Sequence, residues 1–188
     1  MREMQRLDEF KLPDGFRGRP GWYVQLWWLV QATLFRGSPQ ALYGWRRWLL
    51  RRFGAKVGAG AIIRLTVQIT YPWKLSIGDY AWVGDDVVLY TLGEIVIGAH
   101  AVVSQRSYLC TGSYDYTRPT FDVYAKPIRI GEQVWLATDV FVAPGVEIGA
   151  GTVVGARGSV FESLRWGGNR RRQSGAGGAC PAFAGCGR

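Results

Sequence analysis

The sequence predicts a mainly β protein, a parallel β-helix of hexapeptide repeats behind an N-terminal helical cap. The first indication is a branched aliphatic residue at every sixth position from residue 130 to residue 160, and the same spacing recurs earlier in the chain. A period of six fits neither an amphipathic helix nor an alternating strand, but it is typical of a parallel β-helix. The repeated positions are Val57, Ile63, Ile69, Leu75, Ile77, Val83, Leu89, Ile95, Ile97, Val103, Leu109, Ile130, Leu136, Val142, Ile148, Val154 and Val160.

A second indication is the glycine that follows many of these aliphatic residues, as in Ile77-Gly78 and Ile97-Gly98. Glycine has no Cβ that could clash, so it suits the tight corners at which the chain of a β-helix changes direction. Each short strand is therefore expected to send one aliphatic side chain into the core.

The N-terminal region, 1–53, is predicted to be an extension followed by the helical cap. Its segment 22–53 forms two helical pieces separated at Gly37-Ser38-Pro39, and the second piece carries an apolar stripe and four arginines. Two interpretations stay open for this stripe. It covers the open end of the β-helix, as solenoids require, or a face of it rests on a membrane surface with Trp and Arg at the interface. The two interpretations are compatible if they belong to different faces.

The β-helix itself is predicted to span 54–164. About three coils precede a loop at 111–127, which breaks the period of six, and about two coils follow the loop. Loops that leave a rigid repeat scaffold often carry function. After Leu164 the period is lost, and 165–188 is rich in Gly, Ala and Arg. This composition predicts an irregular, disordered tail, and a frameshifted terminus is the alternative.

Composition narrows the classes of function. The 188 residues carry a net charge of +9, but no groove-reading motif accompanies the basic clusters, so we expect no nucleic acid partner. Three cysteines without framework spacing suit a reducing compartment. A charged N-terminus argues against a signal peptide, and the apolar run at 22–35 is shorter than the roughly 20 residues that span a bilayer. We therefore expect a cytoplasmic protein, with peripheral contact at the inner membrane face left open.

From about residue 6 to residue 164 the chain resembles the hexapeptide-repeat, left-handed β-helix acyltransferases, and most closely the acetyltransferases of colanic-acid-like exopolysaccharide biosynthesis. The segments GFRGRPGWYVQLWWLVQATLF, ITYPWKLSIGDYAWVGDDVVLYTLGEIVIGAH, SYLCTGSYDY and WLATDVFVAPGVEIGAGTVVGAR carry the resemblance. It implies transfer of an acetyl group from acetyl-CoA to a sugar hydroxyl, with a sugar or a lipid-linked oligosaccharide as acceptor. It also implies a homotrimer whose active sites lie between two subunits.

The resemblance further implies a set of residues that contact acetyl-CoA. Trp135 matches a tryptophan beside the bound substrates, and it is assigned to both the cofactor and the acceptor. Thr138, Gly155 and Ala156 match positions whose backbone groups line the pantetheine arm. Arg157 is placed to meet a CoA phosphate, or it is a solvated turn residue.

The chain departs from the family at the catalytic motif. Where the family has Ser-His-Asp, with the His as general base, this chain has Ser113-Tyr114-Asp115. A phenol, with an ordinary pKa near 10, is a poor base at neutral pH. Tyr114 and Asp115 remain the catalytic candidates, with Tyr114 positioning the acceptor and Asp115 supplying a carboxylate. Asp86 matches an acceptor-binding position, or it is a turn aspartate, and His100 is a shared turn residue.

Two hypotheses follow. The first is an acetyl-CoA-dependent O-acetyltransferase that acts on an exopolysaccharide sugar. The alternative is a catalytically weak or inactive homologue that binds sugar or CoA, or that serves as an assembly partner. A carbonic anhydrase of the same fold would need about three histidine ligands, and the chain has one histidine, so no metal is expected.

Overall fold

The computed structural model describes residues 10, 12–13, 15–115 and 120–165, together with the backbone of 179–181. Helix α1 (Gly21–Val30) continues as a π-helical segment (Gln31–Phe35), and helix α2 (Tyr43–Arg52) leads into the strands. A 3-10 turn, Pro72–Lys74, precedes β4. The strands are β1 Lys56–Val57, β2 Ile62–Ile63, β3 Gln68–Ile69, β4 Leu75–Ile77, β5 Trp82–Val83, β6 Val88–Tyr90, β7 Ile95–Ile97, β8 Val102–Val103, β9 Tyr108–Cys110, β10 Gly112–Tyr114, β11 Val123–Ala125, β12 Ile128–Ile130, β13 Trp135–Leu136, β14 Phe141–Val142, β15 Glu147–Ile148, β16 Thr152–Val154, β17 Ser159–Val160 and β18 Ala179–Pro181.

The strands of the solenoid stack into three parallel sheets. Sheet A holds β1, β4, β7, β12 and β15, sheet B holds β2, β5, β8, β13 and β16, and sheet C holds β3, β6, β9, β14 and β17. Each of five coils contributes one strand to every sheet, so the chain turns three corners per coil: first from A to B, second from B to C, and third from C back to A. The predicted left-handed parallel β-helix of hexapeptide repeats is confirmed.

The residues of the six-residue period fill the core, and all of them are at most 8% exposed. Coils stack in register, with Val57 beside Ile77 and Ile77 beside Ile97. A Cβ added to Gly78 would lie 2.5 Å from the backbone nitrogen of Ala99 in the next coil. The glycine after the aliphatic residue is therefore required because successive coils approach too closely for a side chain.

The two-residue slips in the period have a simple structural cause. Strands β4 and β7 are three residues long and bury both end residues, as Leu75 and Ile77 show. The period restarts on the second buried residue of the same strand. The coil that runs from Ile77 to Ile97 is therefore longer than the one from Ile130 to Ile148, while the cross-section of the core is preserved.

Several corners place a side-chain-bearing residue in the left-handed region of backbone conformation. At the first corner these residues are Tyr80, His100 and Gln133, with φ between 55° and 57°. The imidazole of His100 stacks on the Tyr80 ring at 5.4 Å between centroids. His100 therefore lies in a corner, as the sequence predicted, and it packs on the coil before it.

The helical cap closes the open end of the solenoid through hydrogen bonds. At the open edge of the first coil, no neighbouring strand donates hydrogen bonds to the backbone carbonyl groups. Long side chains of the cap donate to these carbonyls instead. Arg47 Nη1 donates to Ala61 O at 2.9 Å, and Arg51 Nε donates to Val57 O at 2.8 Å. Trp27 Nε1 reaches Ile69 O at 2.8 Å. These hydrogen bonds hold the helices against the first coil, and Leu49 and Leu50 of the apolar stripe are buried in the same core cluster as Val57 and Ile63.

The loop predicted at 111–127 contains an antiparallel hairpin of β10 and β11. It leaves the third corner after coil 3 and returns beside its starting point, where Lys126 N donates to Thr111 O at 2.8 Å. Most of the predicted tail at 165–188 lies outside the described residues. The exceptions are Arg165 and the backbone of β18, which pairs antiparallel with β16. No helix in the described part of the chain is long and apolar enough to cross a membrane.

Candidate active site

The second corner carries a column of alternating charges. Coils 2 to 5 place Asp86, Arg106, Asp139 and Arg157 at equivalent positions, each with φ between 56° and 59°. Arg106 holds Asp139 through two hydrogen bonds of 2.8 Å. Hydrogen bonding to Asp139 raises the pKa of Arg106, and the same contact lowers the pKa of Asp139. Asp86 and Arg157, two of the predicted site residues, therefore stand at the two ends of a charged column.

Trp135 lies on the outer face of sheet B in coil 4, where it pairs with Val102 of coil 3 and with Val153 of coil 5. Its ring is 44% exposed, and its Nε1 donates to Ser104 Oγ at 3.0 Å. One corner further along, Thr138 Oγ1 donates to Gln105 O at 3.1 Å. Both side chains are thus held on the preceding coil, while the Trp135 indole stays partly open to solvent.

The three remaining candidates for contact with the cofactor, Gly155, Ala156 and Arg157, lie on the same edge, at the second corner of coil 5. Arg157 N donates to Thr138 O at 2.8 Å, which stacks the corner of coil 5 on that of coil 4. Gly158 N donates to Gly155 O at 3.1 Å across this tight corner, and Ala156 is exposed at its tip. The structure therefore brings together Asp86, Trp135, Thr138, Gly155, Ala156 and Arg157 along one edge of the solenoid.

A groove of about 740 Å³ continues this edge toward the cap. It is lined by the exposed Trp82, by Ser104, and by an ion pair in which Arg64 Nε lies 2.8 Å from Asp85 Oδ2. The predicted Asp86 also lines the groove, whereas Trp82, Ser104, Arg64 and Asp85 were not predicted as site residues. A usable signal existed, because Trp82 and Trp135 both precede a repeated aliphatic residue and so face outward from sheet B.

Tyr114 and Asp115 occupy a different place, on the hairpin at the third corner. The Tyr114 ring is 44% exposed and stacks on Phe121, with 4.6 Å between centroids and 9° between the planes. Asp115 N donates to Asp122 O at 2.8 Å. Sheet C separates this hairpin from the edge of the same chain that holds Trp135. One subunit therefore does not bring Tyr114 close to Trp135.

Aromatic side chains cover the outer face of sheet C, between the hairpin and the edge that holds Trp135. Tyr90, Tyr108, Phe141 and Phe161 follow one another with ring centroids 6.1, 6.0 and 5.7 Å apart. Burial raises the pKa of Tyr108 to about 12 and also raises the pKa of the Cys110 thiol beside it. Both groups are therefore neutral at physiological pH. Among the described residues, no three His, Cys, Asp or Glu side chains come together as a metal site.

Comparison with known proteins identifies relatives over most of the chain. No family model matches the sequence. The chain is 68% identical over 161 residues to the protein described as the colanic acid biosynthesis acetyltransferase WcaF of Escherichia coli strain K12, covering 86% of this chain and 88% of that one. The protein of the same description from Shigella flexneri matches equally well.

Solved structures share the fold at lower identity. A galactoside acetyltransferase in complex with coenzyme A superimposes with a TM-score of 0.71, at 22% identity, over 82% of this chain and 76% of that one. The hexapeptide-repeat acetyltransferase VCA0836 of Vibrio cholerae O1 biovar eltor, complexed with acetyl coenzyme A, gives 0.66 at 22% identity, over 81% and 79%. On its identity to WcaF and on its fold, the chain belongs to the hexapeptide-repeat acetyltransferases, in the group that includes WcaF.

Proposed function

We propose that this enzyme transfers an acetyl group from acetyl-CoA to a sugar hydroxyl during synthesis of a colanic-acid-like exopolysaccharide. The observation that carries the proposal is the 68% identity to WcaF over 161 residues. The fold it shares with proteins that hold coenzyme A and acetyl coenzyme A supports the choice of acetyl donor.

Acetyl-CoA is proposed to lie along the edge that runs from Trp135 to Arg157. The exposed indole of Trp135 offers apolar surface to the pantetheine arm, and the corner backbone at Thr138, Gly155 and Ala156 offers donors and acceptors to its amides. The Arg157 guanidinium stands exposed at the end of the charged column, where it suits a CoA phosphate. Asp86, at the other end of the column, is proposed to contact the acceptor.

We expect Trp135→Ala to raise the Kd for acetyl-CoA by roughly tenfold, because an exposed aromatic surface in a ligand site is lost. Isothermal titration with acetyl-CoA measures this change. Trp22→Ala is the matched control, since Trp22 is also exposed but lies in α1. Equal Kd values for the two variants would place the pantetheine arm elsewhere.

The enzyme is proposed to be a homotrimer with each active site between two subunits. Support comes from the separation of Tyr114 and Trp135 by sheet C, because a reaction that uses both then needs the hairpin of one subunit beside the edge of another. Sedimentation equilibrium should give about three times the chain mass of 20.9 kDa. A stable, folded monomer at micromolar concentration would contradict this arrangement.

The acceptor is proposed to be a lipid-linked oligosaccharide presented at the inner membrane face. Incubation with labelled acetyl-CoA and lipid-linked repeat units of an exopolysaccharide should give an alkali-labile acetyl ester on the saccharide. Binding of acetyl-CoA without any transfer would favour the alternative, a weak or inactive homologue. Its support is the sequence Ser113-Tyr114-Asp115, where the resemblance implies Ser-His-Asp with the His as general base.

A further inference from the structure

The helical cap leaves a large apolar surface exposed on the side that faces away from the solenoid. We call this surface the outer cap face; its members are Trp22, Leu26, Leu29, Leu34, Trp45 and Trp48. Each of these side chains is between 37% and 68% exposed. Exposed apolar patches of this kind, framed by polar residues, mark interaction sites.

The outer cap face is continuous across both helices. Trp22, Leu26 and Leu29 follow helical spacing along α1, while the opposite side of α1 buries Trp27 against the first coil. Trp45 Nε1 donates to Leu34 O at 3.1 Å, which ties α2 to the end of the π-helical segment. Stacking of the Trp45 and Trp48 rings at 5.1 Å extends the surface along α2.

Charge indicates which partner this surface fits. Between residues 15 and 78 the chain has ten Lys and Arg and no Asp or Glu, whereas the remainder has 13 basic and 14 acidic residues. The whole net charge of +9 therefore belongs to the capped end. Three of the four arginines of α2, Arg46, Arg47 and Arg51, donate to the first coil. Arg36 and Arg52 are exposed beside the apolar face.

We infer that the outer cap face docks the enzyme on a bilayer rich in anionic phospholipid. Tryptophans and leucines enter the headgroup boundary, and the surrounding basic side chains meet lipid phosphates. The capping role and the docking role belong to opposite sides of the same helices. The two interpretations of the apolar stripe are therefore compatible.

Docking also constrains the acceptor, in a step that rests on the proposed function. The Tyr114 hairpin leaves coil 3, two coils beyond the capped end, which is about 10 Å at the usual strand spacing. A helix between the coils and the lipid adds about 10 Å. The reacting hydroxyl then lies roughly 20 Å above the bilayer surface. That height suits a sugar several units away from the lipid phosphate better than the first sugar on the lipid.

Co-sedimentation of the full-length protein with vesicles tests the docking surface. The parent protein should bind vesicles of phosphatidylglycerol and phosphatidylcholine, and added salt should weaken the binding. Leu29→Glu should lower the partition coefficient by roughly tenfold or more, because a charge enters the apolar face. Phe161→Glu is the matched control, since Phe161 is 69% exposed but lies in coil 5, at the end of the solenoid opposite the cap. The Phe161→Glu variant should bind vesicles as the parent does.

An activity comparison separates this inference from the proposed function. Leu29→Glu should acetylate a water-soluble oligosaccharide at the parental rate and lose activity only on lipid-linked acceptor in vesicles. The inference is overturned if Leu29→Glu, folded by thermal melting, binds vesicles as the parent does. It is equally overturned if Leu29→Glu changes only the oligomeric state and the parent binds no vesicles. Vesicle binding that responds to Leu29→Glu without acetyl transfer to any acceptor would refute the proposed function alone.

Discussion

Tyr114→His should raise the rate of acetyl transfer by at least about tenfold, because positioned general bases typically contribute 10²–10⁴ in rate. A free imidazole with a pKa near 6.5 accepts a hydroxyl proton at pH 7, whereas a free phenol is protonated there. The structure favours tolerance of the change. Tyr114 is 44% exposed and stacks flat on Phe121, and an imidazole ring can keep such a stack.

The pH profile provides the decisive measurement for this variant. The acetyl-transfer rate that the variant gains should rise as the pH increases through the pKa of the imidazole, and it should be lost at lower pH. The parent protein should not show this rise. Tyr114→Phe is the control for ring stacking without a titrating group. A parent that already turns over rapidly, together with a harmless Tyr114→Phe, would move the base elsewhere, with Asp115 the first candidate. An inactive Tyr114→His that still binds acetyl-CoA would locate the defect in the acceptor site.

Arg46→Met should lower the free energy of unfolding by about 3 kcal/mol, because buried carbonyl and hydroxyl groups that lose their partner cost about 1–3 kcal/mol each. Arg46 is fully buried. Its Nε donates to Ile63 O at 2.7 Å, and its Nη1 donates to Ser38 Oγ at 2.8 Å. Its two guanidinium nitrogens also reach Pro39 O at 3.0 Å and Gln40 O at 2.7 Å.

Removal of this guanidinium also removes the free-energy cost of burying its charge. Burial lowers the pKa of Arg46, so the folded protein disfavours the charge that it holds. The expected loss is therefore less than the sum over all four acceptors. Urea unfolding at fixed protein concentration measures the change, with Arg52→Met as the exposed control on the same helix. Equal midpoints for the two variants would show that water replaces Arg46 without penalty.

The sequence was sufficient for the solenoid. A six-residue period of aliphatic residues is a local pattern, and each coil contacts only its neighbours. The pattern alone therefore assigns a buried side chain to every strand of the three parallel sheets. The corner role of His100 followed from the same regularity. The edge formed by Trp135, Thr138 and Arg157 was predicted by resemblance, and the stacking of coils explains why residues distant in sequence meet there.

Tertiary structure decided what depends on the surroundings of a side chain. From sequence, a membrane-facing role for the arginines of α2 stayed open beside capping. The position of the first coil's free carbonyls shows that Arg46, Arg47 and Arg51 close the solenoid. The alternating charges of Asp86, Arg106, Asp139 and Arg157 became a column only when coils of unequal length were superimposed. Hydrogen bonds and ion pairs act over a few ångströms, so partners that are distant in the chain are set by how the coils stack rather than by any local sequence pattern.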